Sequence, residues 1–401
     1  MIVFITDELP RPNAAGHLAM NHAIISWLRS QGYDVTIMLT GTRLTAPLVR
    51  YDLASVCGPH VGRAGAYTVA SPLAVGRLFC RKLFRRLPVS LANHFRRLRR
   101  QPDAVLGKFP EPSETPWFTS ILEKLAPEAL LIDTIFRVPL VADSKQAKFK
   151  RIIITHDVFY RRAEALKAVG YRILPEGLTR QRETQLLAQA AHIAAIQPEE
   201  ANLLQEMCPQ ANVFTAPMPA LPCPASGNVE RLAGRLVFVG SDTLPNLDGL
   251  QWFFAEIWPE LIRHGLTLDL IGDCGPALHK LPHGVNALGR VADLAPLLHR
   301  ASLAISPLRT GSGLKIKLLD YARHGLFTVA TSASLQGFNS DPDAPFIVAD
   351  GAPMFSETIL RHVATPPLSR AAIAYVSRHY NTESAFKGLR TVLDTIGHIQ
   401  I

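Results

Sequence analysis

Residues 303–331 read LAISPLRTGSGLKIKLLDYARHGLFTVAT, and this stretch decides the fold. An apolar run leads into Gly311-Ser312-Gly313, an amphipathic segment carries Lys315, Lys317 and Asp320, and Gly325 closes it before a second apolar run. The periods spell strand, glycine turn, helix, strand, which is one unit of a parallel α/β sheet. A glycine turn opening a helix at the carboxyl end of a strand is where such sheets hold phosphates. Free N–H groups and the positive end of the helix dipole both point at the ligand there. Asp320, about two turns into the segment, is placed to accept from the hydroxyls of an attached ribose.

Working outward, the same alternation recurs on both sides. Upstream lie predicted strands at Leu236–Gly240, Leu268–Gly272 and Val285–Leu288, with helices at 247–264 and 294–300. Residues 215–228, TAPMPALPCPASGN, hold four prolines and no charge, so they read as an extended linker. Before the linker, strands are expected at Ile2–Thr6, Val35–Leu39, Ala129–Asp133, Arg151–Thr155 and His192–Ile196. A helix spans about 17–30, and another starts at Pro198-Glu199-Glu200, where proline followed by acids marks a helix start. Segment 60–125 is less regular and is expected to add helices to one side. The domains expected are 1–222, including a basic helical segment at about 73–101, and 229–369. The helices of 370–401 are expected to cross back to the first domain.

Composition agrees with a globular chain of more than one core: 401 residues, 48% hydrophobic and 19% charged. The five cysteines, Cys57, Cys80, Cys208, Cys223 and Cys274, are widely spaced without a CxxC pair. That spacing argues against a zinc site or disulfide framework and for a reducing compartment, and no metal ligand is expected. The start MIVFITDE reads as a first strand rather than a signal peptide, and no run of about 18 apolar residues exists to span a membrane. A cytoplasmic location is expected.

Charge is concentrated in one place. Between Asp52 and Asp103 there are ten basic residues and no acid; the remaining 32 basic residues face 33 acidic ones, so the net charge of +9 belongs to this segment. Leu78, Phe79, Leu83, Phe84 and Leu87 recur among its arginines at roughly helical spacing. Arg81, Lys82, Arg85 and Arg86 therefore suit an anionic membrane surface on the inner face of the cytoplasmic membrane, at about 1 kcal/mol per basic residue. A solvated face whose apolar stripe packs on its own domain reads equally well. Nucleic acid is not expected, because no aromatic platform or recognition motif accompanies the charge.

The chain resembles the group 1 (family 4) glycosyltransferases of the GT-B fold. The resemblance is strongest over about 235–340, through FVGSDTLPNLDGLQWFFAEIWPEL, LDLIGDCGP and VNALGRVADLAPLLHRASLAISPLRTGSGLKIKLLDYARHGLFTVATS. It is weaker in PNAAGHLAMNHAIISWLRSQGYDVTIML and IIITHDVFYRR. It implies two Rossmann-like doubly wound domains facing across a cleft. Its implied activity is retaining, metal-independent transfer of a hexose from a UDP- or GDP-sugar to a hydroxyl of a glycan or lipid-linked acceptor, with no cofactor.

Residue by residue, the resemblance places Asp320 on the ribose, Gly311, Ser312 and Gly313 on the diphosphate, and Lys315, Lys317 and Arg309 as its countercharges. Lys317 is preferred over Lys315, since it lies three residues before Asp320 on an adjacent turn. His156, with Asp157, is implied beside the transferred sugar. Gly16, Gly240 and Asn246 are implied in donor binding and His17 in the acceptor loop; Asn246 also reads as a plain helix cap. Two departures stand out: Ser312 replaces a family glutamate, and Ser241-Asp242-Thr243 replaces the basic pair after the first donor-domain strand. The alternatives are a non-catalytic GT-B-fold scaffold at the membrane, and, more weakly, an epimerase or phosphorylase.

Overall fold

The computed structural model describes residues 1–12, 16–85, 104–142, 149–168, 170–227, 229–278, 280–310, 314–338, 342–364 and 369–397. Chain contacts divide it into a first unit, Met1–Ala216 with Phe386–Ile401, and a second, Pro217–Ala385. The stretch 370–385, expected among helices reaching back to the first domain, stays with the second; the return begins at Phe386.

The first unit is built on a seven-stranded, wholly parallel sheet. Its order is Asn212–Thr215, His192–Ala195, Lys150–Ile154, Ala129–Asp133, Ile2–Glu8, Val35–Arg43, Ser55–Cys57. The central strands are buried on both faces, as in ALLID at 129–133, where all five residues are buried. The chain's first strand lies centrally, and the sheet is extended from it in both directions, so the order reverses between Ile2–Glu8 and Ala129–Asp133. The helix Lys387–Gly397 lies against the outer strands, with Phe386 5.2 Å from the Trp27 ring.

The irregular segment proves to be partly β rather than purely helical. Leu48–Arg50, Val61–Ala64 and Tyr67–Ala70 form a small antiparallel sheet, followed by the helix Pro72–Arg85. These strands are too short and polar for an apolar alternation to betray them.

The second unit repeats the architecture with six parallel strands, in the order Val285–Gly289, Thr267–Ile271, Arg235–Val239, Leu303–Ser306, Thr328–Ala330, Phe346–Val348. Two apolar layers cover it, one around Phe253, Trp258 and Phe355, the other around Leu318, Tyr321 and Tyr375. The helix expected over 247–264 runs as Leu244–Trp252, a π turn Phe253–Ile257, then Trp258–Arg263. Pro259 explains the interruption, since it lacks the N–H that a continuous helix requires. The 303–331 unit folds as read: strand Leu303–Ser306, helix Ile316–Arg323, Gly325 in the left-handed region at φ +74°, strand Thr328–Ala330.

Candidate functional site

In the second unit the strand order reverses between Arg235–Val239 and Leu303–Ser306, and their carboxyl ends open the place where doubly wound sheets bind ligands. Three side chains converge there. Lys317, in the first turn of Ile316–Arg323, donates to Asn246 Oδ1 at 2.7 Å and lies 4.0 Å over the Phe238 ring. Asn246 Nδ2 donates to the Ser241 carbonyl and to Thr243 Oγ1, both at 3.0 Å. Thr243 takes the cap position, so Asn246 is not the cap; three residues into its helix, it ties the Ser241–Thr243 turn to Lys317. Gly240 makes the approach possible, because a Cβ there would meet the Phe238 ring at 2.6 Å and Asn246 Nδ2 at 3.1 Å.

Electrostatics mark the same point. Desolvation pushes the Lys317 ammonium down to about 7, and the Lys315 charge adds to the fall. Buried Tyr321 accepts from the Val239 N–H at 2.6 Å, fixing the helix under the strand end. Asp320 is half-buried on the same helix; desolvation raises its pKa, against the pull of Arg323, which donates to it at 3.1 Å. Lys315 caps the helix rather than belonging to it.

Arg309 is placed elsewhere. It is exposed and forms a two-pronged ion pair with Asp248 at 3.0 and 2.6 Å, on a different partner from Lys317, which donates to Asn246, and Asp320, which pairs with Arg323. Gly311, Ser312 and Gly313 lie outside the described residues. The loop leading to them is held by a buried hydroxyl cluster that sequence reading missed. Ser334 Oγ donates to the Ser306 carbonyl at 2.6 Å and accepts from the Leu308 N–H at 3.3 Å, while Thr331 Oγ1 donates to the Leu308 carbonyl.

In the first unit the reversal point carries a second cluster. Asp133, at the end of its strand, accepts from Thr6 Oγ1 at 2.7 Å and pairs with His156 Nε2 at 2.9 Å. Burial opposes the charge on Asp133, but the bonds from His156 and Thr6, with the nearby His17, hold its carboxyl well below the usual range. It is therefore a carboxylate, and the hydrogen in the His156 bond belongs to Nε2. His156 Nδ1 is buried with no hydrogen-bond partner among the described residues. His17, next to Gly16 at the start of helix Gly16–Ser30, stands edge-on with its ring 6.0 Å from His156. Its pKa is lowered by desolvation first, against the pull of Asp133.

Asp157 does not join this cluster: its carboxylate accepts from Arg162 Nη1 at 2.9 Å. Asp133 was visible in sequence only as an acid ending an apolar strand. Its pairing with residues 127 and 23 positions away was not.

The first unit also holds a cavity of about 690 Å³. Leu73, Gly76, Arg77 and Cys80 of helix Pro72–Arg85 line it, together with Asp7, Arg43, Phe109, Glu111, Glu114 and Arg137. The helix also exposes Phe79 and Leu83, 67% and 57% accessible, beside exposed Lys82. The side chains of Arg81 and Arg85, and all of Arg86, lie outside the described residues. Among the described residues no helix is long and apolar enough to cross a membrane.

Residues 233–364 match the family described as Glycosyl transferases group 1. A curated relative, an uncharacterized 44.6 kDa protein in the cps region of Klebsiella pneumoniae, is 22% identical over 172 residues, covering 38% of this chain and 44% of that protein. The chain thus matches less than half the length of that relative. Solved structures resemble nearly the whole chain. Sucrose-phosphate synthase from Thermosynechococcus elongatus superposes with a TM-score of 0.69 at 13% identity, covering 100% of this chain and 99% of that one. Anabaena HepE, in complex with UDP, gives 0.59 at 12% identity, covering 98% and 99%. WaaG, a glycosyltransferase involved in lipopolysaccharide biosynthesis, gives 0.58 at 13% identity, covering 97% and 98%.

Proposed function

We propose that this chain, whose residues 233–364 match the Glycosyl transferases group 1 family, is a GT-B glycosyltransferase that transfers a hexose from a UDP- or GDP-sugar to a hydroxyl of a glycan or lipid-linked acceptor. The observation that carries the reading is Lys317, held by Asn246 and Phe238 at the sheet's reversal point with Asp320 on the same helix. A desolvated lysine there offsets the charge that grows on the diphosphate as the glycosidic bond breaks. Asp320 receives the ribose hydroxyls, and a charged acceptor strengthens both bonds. Cation and helix dipole do the work that a metal ion does in other transferases, so the reaction is metal-independent.

In the first unit, Asp133 orients His156, which the reading sets beside the transferred sugar, with His17 and Gly16 next to it. Retention of anomeric configuration is proposed from the family alone. The cavity combines apolar side chains with both basic and acidic ones, Arg43 and Arg137 pairing with Asp7, a mixed lining suited to the hydroxyls of a glycan acceptor. The exposed Phe79 and Leu83 beside Lys82 support docking of helix Pro72–Arg85 on an anionic membrane. The relative from a cps region supports a role in cell-envelope glycan synthesis.

Nucleotide release from a panel of UDP- and GDP-sugars, with acceptor-bearing lipid extract, tests the reading. Wild type turns over, and Lys317→Ala and Asp320→Ala lose about 10²-fold or more in kcat/KM. Full activity in both variants overturns the site assignment. Absence of nucleotide binding by calorimetry favours the non-catalytic scaffold instead.

A further inference from the structure

Three side chains with metal-ligand chemistry meet in the second unit, at the carboxyl end of the helix whose first turn carries Lys317. Cys223 comes from the extended segment before the sheet, His299 from the last turn of helix Ala295–Arg300, and His324 from the end of helix Ile316–Arg323. One ligand atom from each lies within 4.8 Å of the others. His299 Nε2 is 3.1 Å from His324 Nδ1 and 2.8 Å from the Cys223 carbonyl oxygen. We propose that Cys223, His299 and His324 form a structural site for one Zn(II) ion, beyond and independent of the sugar-transfer reading.

The argument is chemical and geometric. A thiolate with two imidazoles is a zinc donor set, and water completes a tetrahedron. Two nitrogens bound to one tetrahedral zinc at about 2.0–2.1 Å lie about 3.3 Å apart, close to the separation found here. The ion would draw on His324 Nδ1, in a side chain only 4% exposed, and would replace the contact of His299 Nε2 with the Cys223 carbonyl oxygen. The backbone is already set for the clamp, since the Cys223 N–H donates to the Arg323 carbonyl at 2.7 Å and the Ala220 N–H to Tyr380 at 2.8 Å.

The spacing argument against zinc excludes a local motif only. Here the ligands are 76 and 25 residues apart and only folding unites them. Bound zinc would tie the segment around Cys223 to the far end of the helix that carries Lys317 and Asp320.

Tag-free, metal-stripped full-length protein is titrated with Zn(II) against a chromogenic chelator and, separately, with Co(II) for its spectrum. Expected are one equivalent bound per chain, a four-coordinate cobalt spectrum with a thiolate charge-transfer band, and a melting temperature raised by zinc. In Cys223→Ser the charge-transfer band disappears and affinity falls more than about tenfold, while nucleotide binding persists. His299→Ala loses affinity likewise. Lack of stoichiometric zinc binding, or an octahedral cobalt spectrum without the thiolate band in the wild type, overturns the site even if a variant fails to fold. An unchanged spectrum in folded Cys223→Ser does the same.

Discussion

Lys317 carries the clearest consequence at the scale of single residues. Its folded pKa of about 7 lies below the ordinary 10.5, so the unfolded chain binds the proton more tightly. Burial of the charged form therefore costs stability in full below about pH 7, and the cost fades as pH rises toward the unfolded value. A bound diphosphate restores the charge. Nucleotide binding at about pH 8 is thus expected to take up a proton, seen as a binding heat that varies with the ionisation enthalpy of the buffer. Lys317→Met removes the variation; a buffer-independent heat in the wild type contradicts the assignment. For the other cluster, Asp133→Asn swaps the carboxylate that holds His156 by Nε2 for an amide and is expected to lower kcat about 10²-fold or more, with a smaller change in donor KM. A change in KM alone would leave His156 outside the chemistry. His156 was named from the sequence by the family resemblance, as the histidine after an apolar strand; Asp133 was hidden because its partners are distant in the chain.

At the scale of elements, the strand Leu303–Ser306 and the helix Ile316–Arg323 are joined by a loop whose first half is pinned from below. Ser334, fully buried, serves the Ser306 carbonyl and the Leu308 N–H at once. Ser334→Ala strands those groups and is expected to cost about 1–3 kcal/mol in denaturant unfolding while raising donor KM, because the loop loses its fixed exit angle. An unchanged midpoint would show that water replaces the hydroxyl. Most strands and helices were legible from apolar period and punctuation, with ends shifted by no more than four residues. The small antiparallel sheet at 48–70 was not, since short polar strands gain their stability from pairing rather than from pattern.

The whole molecule comprises two parallel-sheet units, and the chain ends by returning to the first of them. Phe386, Leu389, Val392 and Leu393 are buried at 3% exposure or less, so ending the chain at Ala385 removes four core side chains. At about 1.5–3 kcal/mol each, that loss rivals the whole stability of a domain. The truncated chain is expected to lose the first unit's unfolding transition in calorimetry; two intact transitions would contradict it. The amino-acid sequence alone determined the two parallel α/β sheets and the strand, glycine turn, helix, strand order of 303–331, because apolar periodicity and glycine placement act within a few residues of each other. Only the tertiary structure decided that Asn246 grips Lys317, that Arg309 belongs to Asp248, that Asp133 holds His156 and that Cys223 meets two histidines. Side-chain partners separated by tens of residues are chosen by where the strands end in space, and no local pattern records that.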